Sequence, residues 1–388
     1  MARIDELVAE LCPDGVEYKR LGDIGTFTRG SGIQKKDFVE EGMPCIHYGQ
    51  VYTYYGLSAT QTKSLISPEL YATRKKASQG DLVIATTSEN EEDVCKCVAW
   101  LGEKPCAVSG DAYIFSHGED PKYIAYFFQS NSFQDQKKRY ITGTKVLRVS
   151  GDNMAKIEIP VPPMEVQREV VRVLDSFAEL EAELEAELEA RKKQYAYYRD
   201  KLLSFERERV PWLKLGSIAT IKTGAKPNQV FEVGSFDYIN AGTTRSGFAD
   251  SFNTDGDTVT TPSRGQGGIG FVGYQSGPFW CGPLCYRIRP KREDVMCKYL
   301  YYYLSSHSSM IIGCMKEGGT PAVNRSDLLE LPIAIPSLSE QRRIVFILDK
   351  FSDLTTSLVD GLPAEIEARR KQYEYYRDRL LDFPRRAA

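Results

Sequence analysis

The chain has 388 residues, 42% of them hydrophobic and 27% charged, with 50 Lys and Arg against 53 Asp and Glu for a formal charge of −3. That length allows two or three domains with ample cores, and the composition is that of an ordinary soluble globular protein. No apolar run approaches the ~18 residues needed to span a bilayer, and Met1-Ala-Arg-Ile-Asp-Glu-Leu7 lacks the apolar core of a signal peptide, so a cytoplasmic chain with no membrane partner is expected.

Residues 1–158 open with an amphipathic pattern from Ile4 to Leu11, ended by Cys12-Pro-Asp-Gly15. Strand-like segments rich in β-branched and aromatic residues follow between Gly turns: Gly25–Arg29, Cys45–Tyr48, Asp81–Thr86, Cys95–Trp100 and Ala112–Phe115. Tyr123–Phe128 reads as a short apolar helix, which makes an α+β domain. Residues 159–205 then carry an apolar stripe stepping by three or four through Val166, Val170, Val173, Phe177, Leu180, Leu184, Leu188, Tyr195, Tyr198, Leu202 and Phe205. This is the seam of a long helix, with Arg191 its only charged member. A Leu-Glu-Ala-Glu run at 180–190 breaks the heptad as a stutter.

Residues 206–332 repeat the plan of the first domain loosely. Val16-Glu-Tyr-Lys-Arg-Leu-Gly-Asp-Ile24 resembles Val210-Pro-Trp-Leu-Lys-Leu-Gly-Ser-Ile218, Gly30 falls opposite Gly224, and Tyr123–Phe128 falls opposite Tyr299–Leu304. The loops between these landmarks differ almost completely, which suggests one kind of job done on two targets. Residues 333–388 repeat the helix closely. Glu189-Ala-Arg-Lys-Lys-Gln-Tyr-Ala-Tyr-Tyr-Arg-Asp200 returns as Glu367-Ala-Arg-Arg-Lys-Gln-Tyr-Glu-Tyr-Tyr-Arg-Asp378, and Gln167-Arg-Glu returns as Gln341-Arg-Arg. The second copy is about one helical turn longer, and Gly361 and Pro363 predict a break in it. Two helices with like seams pair most simply antiparallel, as a coiled coil with pseudo-twofold symmetry and a globular domain at each end.

Six glutamates lie within residues 179–190, and everything else sums to +3, so local basic loops rather than global charge must decide on a nucleic-acid partner. Nine cysteines at irregular spacings and three histidines point to reduced, mostly buried thiols and to no metal site. No phosphate loop, nucleophile elbow, paired-histidine helix or Asn/Asp-Pro-Pro-Tyr/Phe base-flipping signature is present, so no catalytic residue is assigned. Arg264-Gly-Gln-Gly-Gly-Ile-Gly270 partly matches a dinucleotide fingerprint, but no helix pattern follows it. A hairpin loop with Arg264 and Gln266 at its tip is the better reading: Arg pairs with guanine and Gln with adenine through the major groove. Exposed Arg and Gln are also ordinary solvated side chains.

Similar Gly-turn loops give Arg29, Gln34, Lys35 and Lys36, then Gln50 and Tyr52, Thr87 and Ser88, and Thr144 and Lys145 in the first domain. In the second they give Lys226, Asn228, Thr244, Arg245 and Thr320. Small hydroxyls, amides and cations on such turns suit phosphate and base-edge contacts. Tyr195, Tyr198, Tyr373 and Tyr376 lie on the seams and read as core. Lys192, Lys193, Arg199, Arg370, Lys371 and Arg377 lie off them and are nearly identical between the copies, which suggests one partner bound twice; duplication without selection is the alternative.

The order of two dissimilar domains and two alike helices resembles the DNA-specificity subunit of type I restriction-modification systems, over essentially the whole chain. Gly319-Thr-Pro-Ala-Val-Asn324, Leu331-Pro-Ile-Ala-Ile-Pro-Ser-Leu-Ser-Glu-Gln341 and Glu365–Asp378 carry the likeness, and the run at 180–190 is similar to a repeat in the central helix of one subclass. The resemblance implies that each variable domain is a target-recognition domain reading one half of a split double-stranded DNA site, while the helices set the gap. It also implies that two methyltransferase subunits dock on the helices, methylating adenine N6 with S-adenosylmethionine, and that restriction subunits using ATP and Mg can join them. This chain would carry no cofactor and no chemistry, in a bacterial or archaeal cytoplasm. The competing reading is a protein-only scaffold of two binding modules on a coiled coil; a methylation-dependent enzyme with fused specificity lacks its catalytic motif.

Overall fold

The computed structural model describes residues 2–265, 267–316, 320–356 and 361–386. The chain divides into two compact units, Met1–Leu184 with Ile366–Ala388, and Glu185–Glu365. The long helix Met164–Leu202 runs unbroken for 39 residues and contributes to both. Its repeat is two helices, Leu338–Thr356 and Leu362–Leu380, separated next to Gly361 where the Gly-x-Pro sequence predicts a break.

In the first unit, five strands form a sheet in the order Gly25–Arg29, Ala112–His117, Leu82–Ala85, Lys96–Trp100, Ser58–Ala59, antiparallel except for the last pair. Its alternating side chains feed two cores. Leu82, Ile84, Cys97, Ala99 and Phe115 face the helix Pro121–Gln129, whereas Val83, Ala85, Val98, Trp100 and Ile114 face Ile46, Val51 and Cys106. A strand buried on both faces reads as a continuous apolar run, which is why Leu-Val-Ile-Ala is legible without alternation. A second sheet is ordered Phe38–Val39, Ser64–Ile66, Met43–Ile46, Cys106–Val108, Lys76–Ala77. Asp120 caps the helix that follows, accepting from the N–H groups of Lys122 and Tyr123, and Pro121 occupies its first turn.

The second unit keeps this frame with fewer strands. Ala219–Thr223, Cys285–Pro290, Thr258–Pro262 and Gly273–Gln275 form its main sheet, and Gly247–Ala249, Phe236–Ile239 and Trp280–Cys281 its second. In both units the main sheet passes beneath the second sheet at a glycine. A Cβ at Gly30 would lie 2.2 Å from the Ser109 carbonyl oxygen, and one at Gly224 would lie 1.8 Å from that of Cys281. Only glycine allows that approach.

In each unit the helix packed on the main sheet, Pro121–Gln129 or Cys297–Ser306, is fastened to the long helix or its repeat by the same contacts. Gln167 and Gln341 are fully buried. Gln167 accepts from the N–H of Asp120 (3.0 Å) and donates to the Pro162 carbonyl (2.8 Å); Gln341 accepts from Met296 (2.9 Å) and donates to Pro336 (2.9 Å). Asp175 accepts from Lys122 (2.7 Å) and the Tyr126 hydroxyl (2.8 Å), and Asp349 accepts from Lys298 (2.8 Å) and the Tyr302 hydroxyl (2.5 Å). Burial first, then the neighbouring carboxylate, pushes both tyrosine pKa values far up and keeps them donors.

The helix seams share an aromatic stack. In the first unit Phe177 stacks on Tyr376 (5.3 Å) and Arg370 pairs with Glu181 (2.9 Å), so the C-terminal helix runs antiparallel to residues 164–184 there. In the second unit Phe351 stacks on Tyr198 (5.8 Å) and meets Tyr195. The seam opens at Leu180, which is exposed along with its counterpart Leu354.

All nine cysteines are free thiols, seven buried and Cys12 and Cys314 half-buried. Burial raises the thiol pKa of Cys45 and of Cys297 to about 12. Among the described residues no helix is long and apolar enough to cross a membrane, and no group of three or more His, Cys, Asp or Glu is arranged to hold a metal.

Candidate nucleic-acid interface

In the first unit, the polar loops meet at one end of the main sheet. The register Arg29↔Tyr113 and Ala85↔Ala112 puts Arg29, Asp111 and Thr86 side by side where their strands begin or end. Arg29 is held there by its Nε, which donates to the Gly110 carbonyl (2.9 Å), while its guanidinium remains largely exposed 3.9 Å from Asp111. Gln34 opens a single 3-10 turn, Lys35–Asp37, and Gln34, Lys35 and Lys36 are all exposed. Thr87 and Ser88 are not loop, as the sequence suggests, but a two-residue strand paired with Leu147–Arg148. The hairpin that supplies this partner turns at Gly143, whose φ of +98° is the left-handed region, and exposes Thr144 and Lys145 at its tip.

Two expected loop positions are corrected. Tyr48–Thr53 is a helix rather than a Gly-turn loop, capped by His47, so the expected strand ends at Ile46. The Gln50 side chain is committed on both sides, accepting from the His47 N–H (3.2 Å) and donating to Ser64 (2.6 Å). The Tyr52 hydroxyl donates inward to the carbonyls of Ala85 (2.9 Å) and Thr87 (3.0 Å), and burial pushes its pKa well up. Both side chains bond within the unit, and both residues are half-buried. Sequence could not separate a Gly-containing loop from a helix whose second residue is Gly.

The second unit gathers its loops at the same end. Asn240 accepts from the Leu284 N–H (2.9 Å), fixing loop 240–245 beside strand Cys285–Pro290. Gly268 abuts it, since a Cβ there would lie 2.9 Å from the Gly242 nitrogen. Arg264 is exposed and bridges to Ala322, and the Gly265 N–H donates to the Pro321 carbonyl (3.1 Å), which brings exposed Thr320 alongside. Lys226 is exposed next to Ala225, whose N–H donates to the Cys281 carbonyl and whose carbonyl accepts from the Trp280 indole. Asn228 and Thr244 are exposed. Arg245 is not a free tip: its guanidinium pairs with Asp237 (3.0 Å) and lies 4.1 Å from the Phe248 ring centre. Gln266 lies outside the described residues.

Sequence reasoning missed Arg148, exposed beside Thr87 at the first sheet end. The Gly143 turn followed by Val-Leu-Arg-Val alternation is a hairpin signature that marks it.

The helix ends hold a second duplicated surface. Arg199 and Arg377 are more enclosed than the other repeated cations. Arg377 is only 11% exposed, pairs with Asp378 (3.1 Å) and lies over Tyr373 (5.8 Å); Arg199 is 29% exposed, pairs with Asp200 (2.8 Å) and lies over Tyr195 (5.9 Å). Packing accounts for their repetition. Lys192, Lys193, Arg370 and Lys371 are exposed, with Lys192 on Glu189 and Lys371 on Glu367. One turn beyond Lys193 and Lys371 stand Tyr197 and Tyr375, counterparts in the repeat, each 60% exposed and edge-on to its neighbouring tyrosine at 5.4 and 5.3 Å. The doubled Tyr-Tyr in each copy is their sequence signal: two adjacent helix positions cannot both face one seam.

The family model for the type I restriction modification DNA specificity domain matches residues 13–190 and 210–368. The Escherichia coli type I restriction enzyme EcoR124I/EcoR124II specificity subunit is 34% identical over 296 residues, 68% of this chain and 71% of that one. Two solved structures share the fold at 18% identity. A chain solved for the complex assembly and conformational transition of the type I R-M system gives a TM-score of 0.64 over 95% of this chain and 97% of its own. The type I restriction-modification system S subunit from M. genitalium gives 0.58 over 95% and 96%.

Proposed function

Because the chain belongs to the type I restriction-modification DNA specificity family, we propose that it gives a DNA methyltransferase its target sequence and performs no chemistry itself. Each unit reads one half of a split site with the polar end of its main sheet: Arg29, Lys35, Lys36, Thr87, Ser88, Thr144 and Lys145 in the first, and Lys226, Thr244, Arg264 and Thr320 in the second. The observation that carries this reading is the same sheet end built twice with unlike side chains. A shared frame delivers the loops to one place, and the loops differ in what they can bond. Lysines and hydroxyls suit phosphate oxygens, whereas the Arg264 fork suits a guanine edge.

In this reading Lys192, Lys193 and Tyr197, with Arg370, Lys371 and Tyr375, form two like surfaces for two methyltransferase subunits. Those subunits bring S-adenosylmethionine; restriction subunits, with ATP and Mg, join the complex in the bacterial or archaeal cytoplasm. The helix Met164–Leu202 sets the unspecified gap between half-sites.

The test is single-molecule sequencing of adenine methylation in cells expressing the methyltransferase partner with and without this chain. A split motif methylated only when the chain is present is expected. With active, bound methyltransferase and no new motif, the protein-only scaffold is the better account, and binding that does not weaken with salt would say the same.

A further inference from the structure

One face of the main sheet carries different chemistry in the two units. In the first unit the strand that follows the short helix Leu21–Ile24 pairs Thr26 with Ser116 and Thr28 with Ile114. All four are uncharged, and Ile114 is buried in the core that holds Ile46 and Val51. In the second unit the strand that follows the equivalent helix, Leu215–Ile218, pairs Thr220 with Arg289 and Lys222 with Arg287. Directly opposed and alternate residues share a face, so three of these four neighbours are cations. Like charges opposite each other across a strand pair repel.

The four residues line a pocket of about 340 Å³ together with Asn253, Thr254 and Asp255. Arg287 is anchored in it: Nη1 donates to the Asn253 carbonyl (2.8 Å) and to the Thr254 hydroxyl (2.7 Å). Its Nε and Nη2 have no bonded partner among the described residues. Arg289 lies 3.3 Å from Asp255, the only acid among the described lining residues, and Lys222 is exposed with no ion pair among them. Three cations against one carboxylate, with one guanidinium already held in place, suit a phosphate group. The position along the strand suggests its source. Lys222 and Thr220 lie two and four residues before Gly224, where the strand reaches the polar sheet end, hence about 7 to 13 Å from it at ~3.3 Å per residue. That distance corresponds to roughly two to four base pairs at ~3.4 Å each.

We propose that this pocket binds a phosphate group and, resting on the reading of a half-site by this unit, that the group is a DNA backbone phosphate two to four base pairs outside that half-site. The contact carries no sequence information. The first unit has neutral residues at the same four positions, so the contact flanks one half-site only.

The test is binding of the full chain, with its methyltransferase partner, to a duplex carrying the split motif in which single methylphosphonate linkages, each lacking one phosphate charge, are scanned along both flanks. One linkage beside one half-site should weaken binding about tenfold, the range of a charge-assisted hydrogen bond. In Lys222→Gln/Arg289→Gln, both at the surface, binding falls about tenfold for the motif and for an unrelated sequence alike, and that linkage costs nothing more. Should the double variant melt early, Lys222→Gln alone still lowers the salt slope by about one counterion. A second arm titrates inorganic phosphate into the full chain and reads Tm against chloride at equal ionic strength. A rise in Tm that the variant loses, without any linkage effect, keeps the phosphate pocket and assigns it to free phosphate. Duplex binding and Tm both indifferent to the variant overturn the proposal, as does a linkage cost that persists in the variant. A complex that binds no duplex at all fails the DNA reading instead, and the phosphate arm then decides the pocket by itself.

Discussion

The helix roots of the two units share a set of contacts, while the loops at the far end of each sheet share almost nothing. Gln167 and Gln341, Asp175 and Asp349, and the stacks Phe177–Tyr376 and Phe351–Tyr198 recur with distances differing by half an ångström or less. At the sheet ends Thr87 stands where the second unit presents Arg264, each next to its hairpin. A contact that is repeated after its surroundings have diverged is one the fold needs. A loop that diverges on a kept frame is free to take a different partner. The comparison also sorts the repeated cations: Arg199 and Arg377 go with the roots, and Lys192, Lys193, Arg370 and Lys371 with the surface.

Breaking a root should cost most, and equally in either unit. Gln167→Ala and Gln341→Ala each leave a buried backbone N–H and a carbonyl unsatisfied, for about 2–3 kcal/mol in urea unfolding. A loss confined to one of the pair would mean that the roots are not equivalent. Next come the loops, where effects should stay within one half-site. Arg264→Ala is expected to relax one position of the half-site read by the second unit, at about 1–3 kcal/mol in DNA binding, and to leave the other half unchanged. Lys145→Ala should weaken binding to all sequences alike and reduce its salt dependence by about one counterion.

Tyr197→Ala and Tyr375→Ala sharpen the comparison from the surface side. Each should weaken binding of one methyltransferase subunit by about 1–2 kcal/mol, read by isothermal titration, with DNA sequence preference unchanged. The smallest effect is a pH dependence from two histidines of the first unit. Burial lowers the pKa of His47, helped by Lys35 and opposed by Asp111, and burial likewise lowers that of His117 against Asp81, Glu119 and Asp120. Each is neutral when folded while the unfolded imidazole takes up a proton. Their contribution is therefore whole above the unfolded value near 6.5 and is lost as pH falls through the lower folded values. His47→Gln should flatten part of that slope in thermal melts between pH 7 and 5.

The frame was legible because it is written in periodicity. Leu82–Ala85, Lys96–Trp100, the helix at Tyr123 and the break beside Gly361 all follow from apolar runs, caps and Gly-Pro placement. Gly30 and Gly224 were legible as a pair, though not their reason, since close approach to Ser109 and Cys281 depends on a chain crossing that no local pattern encodes. The site was legible as loops and not as side chains. Gln50 and Tyr52 turn inward because a His cap makes Tyr48–Thr53 helical, and Arg245 is drawn to Asp237 across a strand pair. Register and capping partners decide such cases, and both lie far along the chain from the residue in question. Leu180 shows the reverse failure: it fits the seam's spacing but lies where the seam opens.

In the proposed reading of two half-sites, the helix Met164–Leu202 is the spacer between them. One additional Leu-Glu-Ala-Glu unit within residues 180–190 adds roughly 6 Å of helix, close to two base pairs at ~3.4 Å each. Methylation sequencing of cells carrying that variant should return both half-sites unaltered with the gap longer by one or two base pairs. The original gap, or a changed half-site, would contradict it.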